Sequence, residues 1–228
     1  MDGNRGRAPG RNLRRAIASS AAPAAVFVAL VLVLEVVDLE PLPGDRSLAH
    51  GLVRRWREPL FRTALRISHY AGGAKSVVAL AAVVAAVLVL VRRPRAALFV
   101  ALAVGVLAAV AILKPAIGRP PPPGGETRYS FPSGHAAGTL ALAAAIVAVC
   151  RPPLLRWLAA PIAALYVVTI GVAVVTAEGH WPSDVLAGWL LAAAWLPLAR
   201  NLAARLFTPS ERSVAARRTR SPTPRETE

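Results

Sequence analysis

Apolar residues fall into six long blocks separated by more polar segments. The blocks run from about Ile17 to Leu39, Ala71 to Val91, Ala96 to Leu113, Gly134 to Cys150, Trp157 to Thr176 and Ser183 to Ala204. Each is close to the roughly 20 residues that a helix needs to cross a hydrocarbon core about 30 Å thick. The pattern predicts an all-α polytopic membrane protein, one bundle of six transmembrane helices over residues 17–207. Residues 1–16, with Arg5, Arg7, Arg11, Arg14 and Arg15, and residues 208–228 read as disordered basic tails. The first block has a rival reading as a signal peptide, which needs a shorter apolar stretch and a small-residue cleavage site. This run is longer and ends in Glu35, Asp38 and Glu40, so it is read as a retained helix.

The segment 40–68 differs from the rest. Leu48, Leu52, Trp56, Leu60 and Ile67 recur at roughly helical spacing, among Arg54, Arg55, Arg57, Arg62 and Arg66. That predicts an amphipathic helix in the membrane interface, with a solvated loop as the alternative. His50 and His69 flank it without a metal-ligand partner at useful spacing and read as ordinary polar residues.

Composition agrees with the pattern. Of 228 residues, 55% are hydrophobic and only 17% are charged, with a mean hydropathy of +0.50. The net charge of +15 would ordinarily point to nucleic acid. Here the basic residues sit in the tails and between apolar blocks, where they orient helices and meet anionic lipid. The expected partners are therefore membrane lipids and not nucleic acid. The single cysteine, Cys150, has no partner for an internal disulfide and reads as a packing residue.

Six crossings put both tails on one side. The arginines of the tails and of the turns at 92–95 and 151–156 mark that side as cytoplasmic, and a bacterial plasma membrane is the expected location. The arginines of 40–68 run against this rule. The loops 114–133 and 177–182 then face away from the cytoplasm.

Those two loops and the adjoining helix ends hold Lys114, Arg119, Arg128, Ser133, His135, Glu178, His180 and Asp184. Ionisable groups at membrane-helix ends are costly unless paired or functional. His180 and Asp184 are four residues apart, on one face at the start of a helix. The carboxylate can fix one ring nitrogen and leave the other as base or nucleophile, or the pair can simply cap the helix. Pro182 suits a first turn, and Ser183 is a plausible cap. Phe131-Pro-Ser-Gly-His135 precedes another helix. A helix start with Ser133 and Gly134 is an anion site, or again only a cap. Lys114 and Arg119 add cations. Together these parts make a phosphate-sized site. Two histidines allow a two-step displacement at phosphorus, one attacking and the other protonating the leaving oxygen. No acidic cluster suited to magnesium is present, and no metal or other cofactor is expected.

At these residues the chain resembles the type 2 phosphatidic acid phosphatase superfamily of membrane lipid phosphatases, which shares its site with the vanadium haloperoxidases. Pro132-Ser133-Gly134-His135 matches the family's P-S-G-H motif. His180 through Asp184 matches the end of S-R-x5-H-x3-D. The resemblance implies a six-helix membrane bundle with its site near the outer surface. It implies His180 as nucleophile, Asp184 as its orienting carboxylate and His135 as general acid. Lys114, Ser133 and the backbone of Gly134 would bind phosphate.

Two positions depart from the family. Pro121 stands where K-x6-R-P has its arginine, and Ala173-Val174 replace the Ser-Arg pair. Losing two charge-assisted hydrogen bonds costs about 3–6 kcal/mol of transition-state binding without replacement. Arg119 and Arg128 are the expected substitutes as phosphate ligands. The expected function is hydrolysis of a lipid phosphate or diphosphate: polyprenyl diphosphate, phosphatidic acid or phosphatidylglycerol phosphate. The alternative is a catalytically weakened relative that binds anionic lipid or a partner protein. A transporter would need polar residues in mid-membrane, and the blocks are nearly free of them.

Overall fold

A computed structural model describes residues 9–55, 58–125 and 127–207, and among them there is no strand. In chain order the helices are α1 (Pro9–Val36), α2 (Asp45–Arg55), α3 (Glu58–Ile67), α4 (Ala74–Leu90), α5 (Pro94–Val104), α6 (Val106–Ile117), α7 (Gly134–Val149), α8 (Pro153–Thr176) and α9 (Pro182–Leu206). A π-helical turn, Ser68–Gly72, joins α3 to α4.

All six apolar blocks are helical, which the all-α expectation required. Most of α1, all of α8 and α9, and the run Pro94–Ile117 are each long and apolar enough to cross a membrane. The run Arg62–Leu90 meets the same test only as a pair bent by 42° at the π-turn. The helix α7 is apolar but has 16 residues. Among the described residues, four spans, or five with the bent pair, are therefore evident by length and composition.

Three local differences from the expected elements have physical reasons. Helix α1 starts at Pro9, ahead of the expected Ile17, because proline is tolerated in a first turn and the residues after it include good helix formers. Residues 1–8 and 208–228 of the expected tails lie outside the described residues. The third block is broken at Gly105 into α5 and α6, inside an unbroken apolar run. There the Trp195 indole N–H donates to the Leu102 carbonyl at 2.8 Å. The segment 45–67 forms two helices, not one. Ala49 and Leu52 of α2 and Ile67 of α3 pack with Ile170, Val174 and Trp181, so this apolar stripe faces protein. Leu48 stays exposed, and Trp56 lies outside the described residues.

The helix α7 is the centre of the bundle. It buries Ala136, Ala137, Gly138, Ala141 and Ala145 and packs against α4, α5, α6, α8 and α9. Small side chains let helix backbones approach closely in a membrane. Gly188 of α9 makes the tightest approach. A Cβ there would lie 2.5 Å from the Ser133 carbonyl oxygen and 3.1 Å from the Ala137 nitrogen. This crossing holds the start of α9 against the start of α7.

Candidate active site

The crossing brings two distant histidines together. His135 is in the first turn of α7, and His180 is in the loop between α8 and α9. Their ring centroids are 5.9 Å apart, with the planes at 68°. A main-chain tie fixes the same junction: the Ser133 N–H donates to the Asp184 carbonyl at 3.0 Å. Ser133 is the N-cap of α7, and its hydroxyl oxygen accepts from the Ala136 N–H at 3.4 Å. The Ala137 N–H is satisfied by the Ser133 carbonyl. The amides of Gly134 and His135 head the helix beyond those two, where a helix end offers donors to an anion.

His180 is buried, with 3% of its surface exposed. Its Nδ1 lies 3.7 Å from Asp184 Oδ2, too far for a hydrogen bond, and has no partner. Burial holds this imidazole below the ordinary histidine range. The Lys114 ammonium pushes the same way, while Asp184 and the Ser130 backbone push back without overcoming burial. A neutral imidazole is the form that attacks or accepts a proton.

Asp184 is fully buried and serves more than one partner. Its Oδ2 accepts from the Trp181 N–H at 2.8 Å, and its Oδ1 is paired with Arg119 Nη1. It therefore caps α9 as well as standing beside His180. Trp181, and not Ser183, occupies the N-cap. Ser183 turns instead to Asp45, its N–H donating at 2.9 Å and its hydroxyl at 2.6 Å.

Arg119 is placed differently from the phosphate ligand expected of it. It is 0% exposed, and all five of its N–H donors have acceptors. Nε donates to the Leu39 carbonyl at 3.2 Å. Nη1 donates to Ser183 Oγ at 2.7 Å and to Asp184 Oδ1. Nη2 donates to the Glu40 carbonyl at 3.2 Å and to Asp45 Oδ2 at 3.0 Å. The sequence displays the charge of Arg119 but not the two carboxylates that enclose it.

Lys114 is only partly buried, and its Nζ donates to the Tyr129 carbonyl at 2.8 Å. It lies within charge–charge range of His135, His180 and Asp184. Arg128 is exposed and lies over the Tyr129 ring, 5.3 Å from its centroid. Val174, at the family's arginine position, is 3% exposed and packs with Ala136, Ile170 and Val185. Glu178 takes a left-handed φ of 55° where α8 ends, and its carboxylate lies near Gly124.

Two residues of this region carry no motif. His69, read from sequence as an ordinary polar residue, lies within charge–charge range of His135. Its π-turn abuts the site, since a Cβ at Gly72 would lie 3.4 Å from His135 Cδ2. Asp45 is the other. Its only sequence signal is that of a helix start. Among the described residues no three His, Cys, Asp or Glu side chains cluster as metal ligands would.

A family model described as the PAP2 superfamily matches residues 94–207. No curated protein matches the chain. Among solved structures, one titled as the first transmembrane PAP2 type phosphatidylglycerolphosphate phosphatase from Bacillus subtilis is similar in fold, with a TM-score of 0.71 at 20% identity. The match covers 84% of this chain and 98% of that one.

Proposed function

The chain belongs to the PAP2 superfamily, and from that premise we propose that it is a membrane phosphatase that hydrolyses a lipid phosphate or diphosphate outside the cytoplasmic face. The observation that carries this reading is the His135–His180 pair, 5.9 Å apart beside the start of α7. One tetrahedral phosphoryl group can touch both rings, the Gly134 and His135 amides and the Lys114 ammonium.

In the proposed reaction Nε2 of His180 attacks phosphorus, and an N–P bond forms as the P–O bond to the lipid breaks. His135 gives its proton to the leaving lipid oxygen. Water then loses a proton to His135 and attacks phosphorus, the N–P bond breaks, and phosphate leaves. Asp184 stands on the Nδ1 side and favours the positive ring of the intermediate. Lys114 and the amides stabilise the oxygens on which charge builds. Neither step routes through a metal. In this reading α7 and the bent pair cross the membrane as well, six crossings put both termini in the cytoplasm, and the substrate's tail stays in the bilayer while its head reaches the site.

The test is phosphate release by detergent-purified protein, with chelator present, from polyprenyl diphosphate, phosphatidic acid and phosphatidylglycerol phosphate. The last is the substrate named for the Bacillus structure. Release from at least one of them, abolished by His180→Ala and by His135→Ala, supports the reading. Acid-labile phosphate trapped on the wild type but not on His180→Ala supports the covalent step. The enclosure of Arg119, with Pro121 and Val174 at the family's arginine positions, favours a second reading: a weakened relative that binds anionic lipid or a partner protein. Binding to anionic vesicles without release from any substrate would establish it.

A further inference from the structure

Asp45 belongs to none of the matched motifs and lies outside the residues that the family model covers. It begins α2, where a carboxylate commonly stays in solvent and interacts with its own helix. Here it is 4% exposed. Apart from the Leu42 N–H at 3.0 Å, its partners lie far away in sequence. Oδ1 accepts from the Ser183 N–H, and Oδ2 from the Ser183 hydroxyl and from Arg119 Nη2. A buried charge is tolerated only when it is paired and hydrogen-bonded. Asp45, Arg119 and Asp184 are so paired, two carboxylates on one guanidinium, and the trio keeps one net negative charge.

We infer that Asp45 is a positioning residue of the His180 site: by sharing the guanidinium of Arg119 and binding Ser183, it holds the first turn of α9 and leaves the charge of Asp184 for His180. Without Asp45, Arg119 would neutralise Asp184 alone, and no net charge would remain behind the ring. The role rests on the proposed phosphoryl chemistry only in its benefit, which is to favour the positive ring that forms when His180 attacks. The groups that face His180 are Asp184 from α9, His135 from α7, Lys114 from α6 and the Ser130 backbone. Burial and the Lys114 ammonium oppose the charged ring, and Asp184 and the Ser130 backbone favour it, so a change in the share of Asp184 has a readable effect.

The experiment is a pH titration of 15N-histidine-labelled full-length protein in micelles, with the His180 signal identified by its loss in His180→Gln. Asp45→Asn keeps an acceptor for the Ser183 N–H and removes the charge. The midpoint of His180 should fall by on the order of half a pH unit. The acid limb of phosphate release should move with it. A residue that merely supports the fold would lower the melting temperature and leave the midpoint in place, and that result overturns the inference. Should Asp45→Asn not fold, Ser183→Ala keeps the backbone hydrogen bond to Asp45 but lets Arg119 turn more fully to Asp184. A smaller fall in the same direction supports the inference, and an unmoved midpoint overturns it. If no substrate releases phosphate, the proposed function fails while the titration still decides the role of Asp45.

Discussion

Arg119 and Lys114 are five residues apart in one stretch of chain, yet the two flanks of His180 that they serve are built on opposite plans. On the Arg119 side every donor is engaged, two carboxylates share one guanidinium, and the cluster is closed to solvent. On the Lys114 side a single ammonium, partly buried, holds one carbonyl. The first flank uses every donor within the protein, and the second uses one of the three on its ammonium. Charge in a sequence does not distinguish the two roles. The number of donors left over does.

Removing Arg119 should break this contrast most severely. Arg119→Leu leaves Asp45 and Asp184 buried without their cation, and breaking such a pair costs about 3–5 kcal/mol. Thermal unfolding in detergent should show a large fall in Tm, with activity lost through loss of the fold. Lys114→Met should do the reverse. Its apolar stem is kept, Tm should hardly change, and loss of a charge-assisted hydrogen bond to phosphate should lower kcat/KM by about 10- to 100-fold. A Lys114→Met enzyme at full turnover would remove Lys114 from the phosphate site.

Acidity sharpens the comparison in a third way. His180 is held below the ordinary histidine value of 6.5, so it stays neutral as the pH falls through that value. The acid limb of kcat/KM that reports His180 should therefore lie below pH 6.5. Stability should follow the same sign. The unfolded chain takes up a proton near pH 6.5 while the folded one does not, so the contribution of His180 to stability declines as the pH drops from 6.5 toward its folded value. A chemical-unfolding series across that range checks it. The smallest effect is expected at Arg128. An exposed cation–π contact is worth about 0.5–1 kcal/mol, so Arg128→Ala should leave turnover within about fivefold of wild type. A larger loss would restore Arg128 as a substitute for a missing family arginine.

What the sequence disclosed and what it concealed follow one physical division. The spans were legible because burial in lipid demands long apolar runs. The meeting of His135 and His180 was legible because each stands in a local pattern, P-S-G-H or H-x3-D, that marks a helix start. The break at Gly105 was hidden, because a kink inside an apolar run alters neither hydropathy nor length. The role of Arg119 was hidden as well, because its acceptors come from Leu39, Glu40, Asp45, Ser183 and Asp184, on both sides of it in the chain. Asp45 reads as an ordinary helix start, and nothing near it in sequence announces a partner at Ser183.

The hydrogen bond from the Ser133 N–H to the Asp184 carbonyl has a consequence for how such a protein can change over time. It joins the two histidine segments through atoms that every amino acid except proline supplies. Drift in the lipid-facing residues can replace nearly every surrounding side chain and leave that seam stitched. A fold can thus persist at one identical residue in five, the level at which this chain and its structural neighbour agree.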